Sequence, residues 1–308
     1  MVIRSSPDAG FDAPLFSIVM VTFARDHLVP RTIAQAARVA GSRLAEVEFI
    51  LVDNNVDDID RSSFLAPFSR WRYVKLGFNK GVSARNDGAN TALGTYMIFV
   101  DDDAFLNPEG VLDRYEQAFA DNPNAAIVTA RHIDHATGDT PRASFPHTDK
   151  SLPKDRPFKT FRFQGNGFAL RRSVFDKVGP MSEEFFYGLE EIDYAYRIVD
   201  AGYEIYYEPA CWVVEHNDPG GRRPRKDVEE MRLTNKLIIS FKYLPAVYLP
   251  LNFLMFSAYV FYLNRGRINV FRSFGNFLKW AREHGNRRKP LGRPAIAYIE
   301  SCGGAVWK

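Results

Sequence analysis

Five short, largely apolar runs of strand length recur through the first 135 residues, with helical stretches between them. They are Ser17–Phe23 (SIVMVTF), Val47–Val52 (VEFILV), Trp71–Leu76, Tyr96–Val100 (YMIFV) and Ala126–Ala130. A strand that is apolar on both faces must be covered on both faces, and alternation with helices predicts a mostly parallel sheet. The intervening helices are read over His27–Ala40, with Gly41 as C-cap, over Gly81–Leu93, and from Pro108 to Ala120. Ligands of such sheets bind at the carboxyl ends of the strands. Asp53-Asn54-Asn55 and Asp101-Asp102-Asp103 fall at those ends.

Asp134–Pro157 is polar and reads as a long, mobile loop. Phe158–Phe163 predicts a strand, then come Gly165-Asn166-Gly167, a further strand and a short helix to Val178. An amphipathic helix over Leu189–Ala201 is stopped by Gly202, and Glu204–Glu208 predicts the next strand. Composition shifts after His216. Residues 219–308 hold 17 Lys/Arg against 5 Asp/Glu, while the first 218 hold 23 against 32. Asp218–Lys226 (DPGGRRPRK) is a basic, breaker-rich linker, and Tyr243–Leu263 is 21 residues without a charge. An acidic body with a basic tail implies different partners for the two parts. With 46% apolar residues the chain is not disordered, and a mean hydropathy of −0.25 argues against a many-span membrane protein. Cys211 and Cys302 form no disulfide scaffold and no zinc motif, which suits a reducing compartment. Met1–Pro14 holds no apolar core of signal-peptide length, so nothing points to export.

Three adjacent carboxylates at a strand end repel one another unless a cation sits among them. Strand alternation would turn Asp101 and Asp103 the same way, and oxygen donors favour Mg2+ or Mn2+ shared with a substrate phosphate. Glu190-Glu191-Ile192-Asp193 opens a helix; Asp193 and Arg197 are spaced to pair structurally. An adjacent carboxylate would raise the proton affinity of Glu191, as a general base needs. Asn79-Lys80-Gly81 and Arg85-Asn86 form a basic, amide-rich helix start suited to an anion. His216 matters only if the fold carries it to the Asp cluster. No GxGxxG follows the first strand, where TFARDH stands, and neither GxxxxGK[ST] nor GxSxG occurs, which disfavours dehydrogenase, P-loop ATPase and serine-hydrolase readings.

From about Ser17 to His216 the sequence resembles the family 2 glycosyltransferases of the GT-A fold, especially bacterial polysaccharide-assembly members. SIVMVTFARDH resembles the opening nucleotide-binding strand and turn, FILVDNN the second strand, and NKGVSARNDGANTALGTYMIFVDDD the longest signature. GNGFALRRSVFDKVGPMSEEFFYGLEEIDYAYRIVDAGYEI resembles the acceptor-site segment, with Glu191 where the family usually has Asp. The resemblance implies an α/β, Rossmann-like GT-A fold: a mostly parallel sheet flanked by helices, followed by a helical, basic extension suited to membrane association. Residues 1–217 would be the catalytic domain, with a nucleotide-sugar half over about 15–133 and an acceptor half over 134–217, and 218–308 the extension. It implies donor contacts at Thr22, Phe23, Arg25, Asp53, Asn79, Lys80, Arg85, Asp101 and Asp102. It also implies a metal, Mn2+ or Mg2+, at Asp101, Asp103 and His216, and acceptor contacts at Gly165, Asn166, Gly167 and Glu190.

The implied reaction is inverting transfer from a nucleotide sugar, UDP- or dTDP-linked, to a hydroxyl of a glycan or lipid-linked glycan, with Glu191 as base. A catalytically degenerate binder of sugar nucleotides is the alternative, and the residue at 191 is the feature that favours it. A nucleotidyltransferase would need a Gly-rich basic loop after the first strand. The uncharged segment, flanked by Lys236, Lys242, Arg265 and Arg267, suits a helix pair in the headgroup region at the inner face of the cytoplasmic membrane; a homodimer contact, a buried helical hairpin and a true span, weakened by Pro245, Pro250 and Asn252, are the alternatives. No module for nucleic acid is recognisable.

Overall fold

A computed structural model describes residues 1–6 and 13–305. In chain order the elements are β1 (Val2–Ser5), β2 (Phe16–Thr22), α1 (Val29–Ala40), β3 (Val47–Asp53), β4 (Trp71–Lys75), α2 (Ala84–Thr91), β5 (Tyr96–Asp101), β6 (Ala104–Asn107) and α3 (Val111–Asp121). Then follow β7 (Ala125–Asp134), β8 (Phe158–Thr160), β9 (Phe168–Arg171), α4 (Arg172–Val178), α5 (Glu190–Asp200) and β10 (Glu204–Glu215). The extension adds α6 (Arg225–Tyr243), α7 (Leu249–Leu263), α8 (Val270–His284) and α9 (Arg293–Ser301).

Among the described residues the strands form one sheet in the order β1-β4-β3-β2-β5-β9-β7-β10-β6, with β8 also paired to β10. β4, β3, β2 and β5 run parallel, as do β7 and β10, and most of the laddered residues pair this way. β1, β6, β8 and β9 add antiparallel pairings. The apolar runs are continuous because each strand feeds two cores. Ile18, Met20, Phe49, Leu51, Ile98 and Val100 face α1 and α3. Val19, Ile50, Val52, Met97 and Phe99 face α2, α4 and α5.

Two expectations give way here. β5 ends at Asp101, and residues 102–103 turn into β6. Strand alternation therefore does not reach Asp103, and Asp101 faces a different partner from its two neighbours. β10 runs to Glu215, well past Glu208, because a register break between Glu208 and Trp212 absorbs Pro209. Its first half pairs with β8 and its second with β6. That second half sets His216 beside the Asp cluster: the His216 N–H donates to the Asp103 carbonyl at 2.9 Å.

Residues 135–157 contain no helix or strand. The segment is anchored, since buried Phe145 packs on the rings of Phe158 and Tyr207. The extension shares a third core with the preceding chain: Phe161, Phe185, Tyr196 and Val199 pack with Leu233, Leu237, Ile239, Trp280 and Ile299. The uncharged stretch breaks at Leu244-Pro245. Ala246–Leu263 is long and apolar enough to cross a membrane by length and composition, and only 11% of it is buried.

Candidate active site

The acidic strand end is built around Arg25, which the turn after β2 projects across the end of β5. Its Nη1 donates to Asp102 Oδ1 at 2.6 Å, and its Nη2 lies 3.3 Å from Asp103 Oδ2. The same guanidinium donates from Nε to the Gly220 carbonyl and from Nη2 to the Asp218 carbonyl, at 2.9 and 3.0 Å. Phe23 donates its N–H to Asp102 Oδ2, and Thr22 is buried at the end of β2. Burial pushes the Asp103 carboxyl up to about 7; Arg25 opposes the shift, while Asp101, Asp102 and Glu215 add to it.

The donor set suits a hard divalent cation. Asp103 supplies oxygen, and the His216 ring, packed on Phe105 and His135 at 4.4 and 4.1 Å, is kept neutral by burial and by its neighbours. Neutral imidazole is the ligating form. Among the described residues no three His, Cys, Asp or Glu side chains group closely enough to hold an ion unaided. Asp101 stands apart from this pair.

Asp101 instead faces Arg85, whose Nη2 donates to its Oδ1 at 3.0 Å while Nη1 donates to Glu190 Oε1 at 3.0 Å. Glu190 is thus buried and salt-bridged, with Oε2 left without a partner. Glu191, one residue on at the start of α5, has a carboxyl that accepts from its own N–H and, among the described residues, hydrogen-bonds no other side chain. Burial and the neighbouring Glu190 push its carboxyl well above the usual range, against the pull of Arg85. It lines a cavity of about 490 Å³ together with Arg85, Asp101, Arg162, Gly165 and Asn166. Gly165 backs directly onto Glu191: a Cβ there would lie 2.7 Å from Glu191 Oε1 and 3.2 Å from Arg85. Asn166 Oδ1 accepts the Asp101 N–H at 3.0 Å, and the Gly167 N–H donates to the Phe99 carbonyl at 2.8 Å. The Gly-Asn-Gly segment therefore forms a wall tied to the end of β5.

The expected base-binding corner looks different. Asp53 is fully buried, and its carboxylate takes Tyr73 Oη at 2.5 Å, Arg61 Nη1 at 3.1 Å and the Asn55 N–H and Nδ2 at 3.0 and 2.8 Å. Asn79 Oδ1 accepts from the Gly81 N–H and from Asn54, bracing the turn before α2. Lys80 pairs with Asp87 and Glu183 at 3.0 Å each. Asp53, Asn79 and Lys80 are engaged by the protein itself and lie outside the cavity lining. Sequence reasoning missed Arg61, Tyr73 and the cavity residue Arg162, because no motif marks a partner that only folding supplies. Asp193 does pair with Arg197, and also takes Lys242, Tyr243 at 2.8 Å and Ser182 at 2.7 Å.

Residues 17–179, over half of the chain, match the model of glycosyl transferase family 2. The chain belongs to that family. Solved structures share the fold. A crystal structure of GalNAc-T7 with UDP, GalNAc and Mn2+ superposes with a TM-score of 0.58 at 16% identity, covering 79% of this chain and 50% of that one. Crystal structures of S. aureus TarS give 0.53 at 15% identity, covering 78% and 42%. TarS 1-349 in complex with UDP-GlcNAc gives 0.56 at 12% identity, covering 93% and 84%. The chain thus spans about half the length of GalNAc-T7 and less of full TarS. No curated protein matches the sequence.

Proposed function

We propose that this family 2 protein is an inverting glycosyltransferase that moves a sugar from a nucleoside diphosphate sugar to a hydroxyl of a glycan acceptor in cell-surface polysaccharide assembly. The observation that carries the reading is Glu191: a carboxyl with no side-chain partner among the described residues, lining a cavity, beside an Arg85–Glu190 pair and an acidic strand end. Glu191 takes the proton of the acceptor hydroxyl as its oxygen attacks the anomeric carbon opposite the leaving diphosphate, so no covalent enzyme intermediate forms. Its raised proton affinity suits that task. Arg85 holds Glu190 and Asp101 in register, and Gly165 leaves Glu191 the room to point into the cavity. Asp103 and His216 would hold Mn2+ or Mg2+, whose charge would offset that of the leaving diphosphate. The neighbours solved with UDP and UDP-GlcNAc support a uridine nucleotide, with a dTDP-sugar as the second choice.

The deciding experiment is a nucleotide-sugar screen for Mn2+-dependent binding and hydrolysis by the full chain. Donor binding without turnover in any acceptor mixture would favour the degenerate-binder reading, which rests on Glu in place of Asp at 191.

The partner of the extension is, in this reading, the cytoplasmic-membrane surface. Tyr262 on α7 is 80% exposed and Phe271 on α8 is 90% exposed. Leu251, Leu254, Met255 and Tyr259 are exposed on α7 as well, and Arg265, Arg267 and Arg272 adjoin them. Apolar side chains rimmed by cations suit an anionic headgroup layer. A homodimer through the same face is the competing reading.

A further inference from the structure

The cavity that holds Glu191 is not acidic throughout. Arg162 lines it from the segment after β8. Its guanidinium stacks on the Phe161 ring at 5.0 Å, and its Nε is buried without a hydrogen-bond partner. Among the described residues no carboxylate lies within ion-pair distance of Arg162, nor of Lys236 or Lys150 nearby. Each of these three cations is held below its usual range by burial, and both lysines also by Arg162. Elsewhere in the site every buried cation has its anion: Arg25 has Asp102, Arg61 has Asp53, and Arg85 has Glu190. A desolvated guanidinium left unpaired is costly unless a ligand supplies the charge. Resting on the transferase reading, we propose that Arg162 seats an oxyanion carried by the acceptor, a phosphoryl group or a sugar carboxylate, with Lys236 adding positive charge from behind the cavity lining, while the attacking hydroxyl of the same acceptor lies at Glu191.

The placement favours the phosphoryl source. Val228 and Arg232 of α6 line the cavity, and Lys236 follows one turn after Arg232. Lys236 Nζ sits 5.6 Å over the ring of Phe256 on α7, the helix whose far side is exposed and apolar. An acceptor lying along this face would place sugar at Glu191, oxyanion at Arg162 and an apolar tail at α7, with Lys236 behind the lining between them. A guanidinium binds either oxyanion through paired N–H donors, so geometry alone leaves the carboxylate as an arm of the test.

The test is calorimetric titration of the full chain, in chelator, with inorganic pyrophosphate and separately with glucuronate, each with and without excess UDP. At least one anion should bind, at least tenfold more weakly to Arg162→Gln and several-fold more weakly to Lys236→Gln, with UDP having no effect. Arg162→Lys should retain most of the affinity, which separates charge from folding. Equal affinity for wild type and both Gln variants, displacement by UDP, or binding of neither anion would overturn the assignment. UDP-sugar binding by the wild-type chain in Mn2+, run in parallel, tests the transferase reading separately, so the two failures are distinguishable.

Discussion

Gly165→Ala tests the site through a single added methyl. The backbone at 165 lies outside the left-handed region, so alanine brings no torsional strain there. What it brings is a Cβ 2.7 Å from Glu191 Oε1 and 3.2 Å from both Arg85 Nη atoms. Ordinary carbon–oxygen contact begins at about 3.4 Å, so the carboxylate must retreat by roughly 0.7 Å. The yielding atom is the far end of a glutamate, so stability should change by less than about 1 kcal/mol. Catalysis is less forgiving, because a misplacement of about 1 Å can cost on the order of 100-fold. The expected result is a kcat lower by about 10- to 100-fold, an unchanged donor KM and a Tm within a few degrees of wild type. Steady-state transfer at saturating donor with a thermal melt reads all three. Wild-type turnover in Gly165→Ala would refute the assignment of Glu191 as the positioned base, since the methyl cannot be accommodated without moving it.

Glu191→Gln should lower turnover by about 100-fold or more with donor affinity retained, and Glu191→Asp should keep partial activity. Because burial raises its proton affinity, Glu191 is a working base only above its shifted pKa; turnover should climb with pH to a higher point than an ordinary carboxylate gives, and Glu191→Gln should lose that rising limb. Asp103→Ala should weaken Mn2+ binding, followed by electron paramagnetic resonance in the presence of UDP, without lowering Tm; unchanged Mn2+ binding would remove Asp103 from the ligand set. Asp193→Asn leaves Lys242 buried without its counter-charge and should cost about 3–5 kcal/mol in chemical denaturation. Tyr262→Ser with Phe271→Ser should reduce sedimentation with anionic liposomes while leaving Tm unchanged, and added salt should weaken the wild-type association; a wild-type chain that ignores liposomes but runs as a dimer would transfer the face to a second copy.

The sheet was legible because its strands are apolar on both faces, and that pattern survives any detail of packing. Val47–Val52 and Tyr96–Val100 are found within one residue of where the sequence places them. What the pattern could not carry is direction at a strand end. Alternation predicts a shared face for Asp101 and Asp103, but it presumes a strand that continues, and this one turns at Asp102. Charge pairing at long separation was equally hidden. Asp53 is satisfied by Arg61 and Tyr73, and Arg25 by residues nearly two hundred positions away, and neither pairing leaves a periodic trace. Arg162 lies in FRFQGNG, where it looks like any strand-edge arginine; only the absence of an acid around it, which needs the fold, sets it apart.

The composition break after His216 looks like a place to cut. The third core makes it a poor one. Removing everything beyond 217 would bare Phe161, Phe185, Tyr196 and Val199, and would strip Asp193 of Lys242 and Tyr243 in the first turn of α5, the turn that also carries Glu190 and Glu191. A truncated protein would therefore report on a damaged catalytic helix and not on an isolated catalytic module. The same linkage restricts how such a chain can diversify: a new tail can be grafted only together with the faces of α5 and of the 158–163 segment on which it sits, so the tail and the wall of the cavity change as one unit.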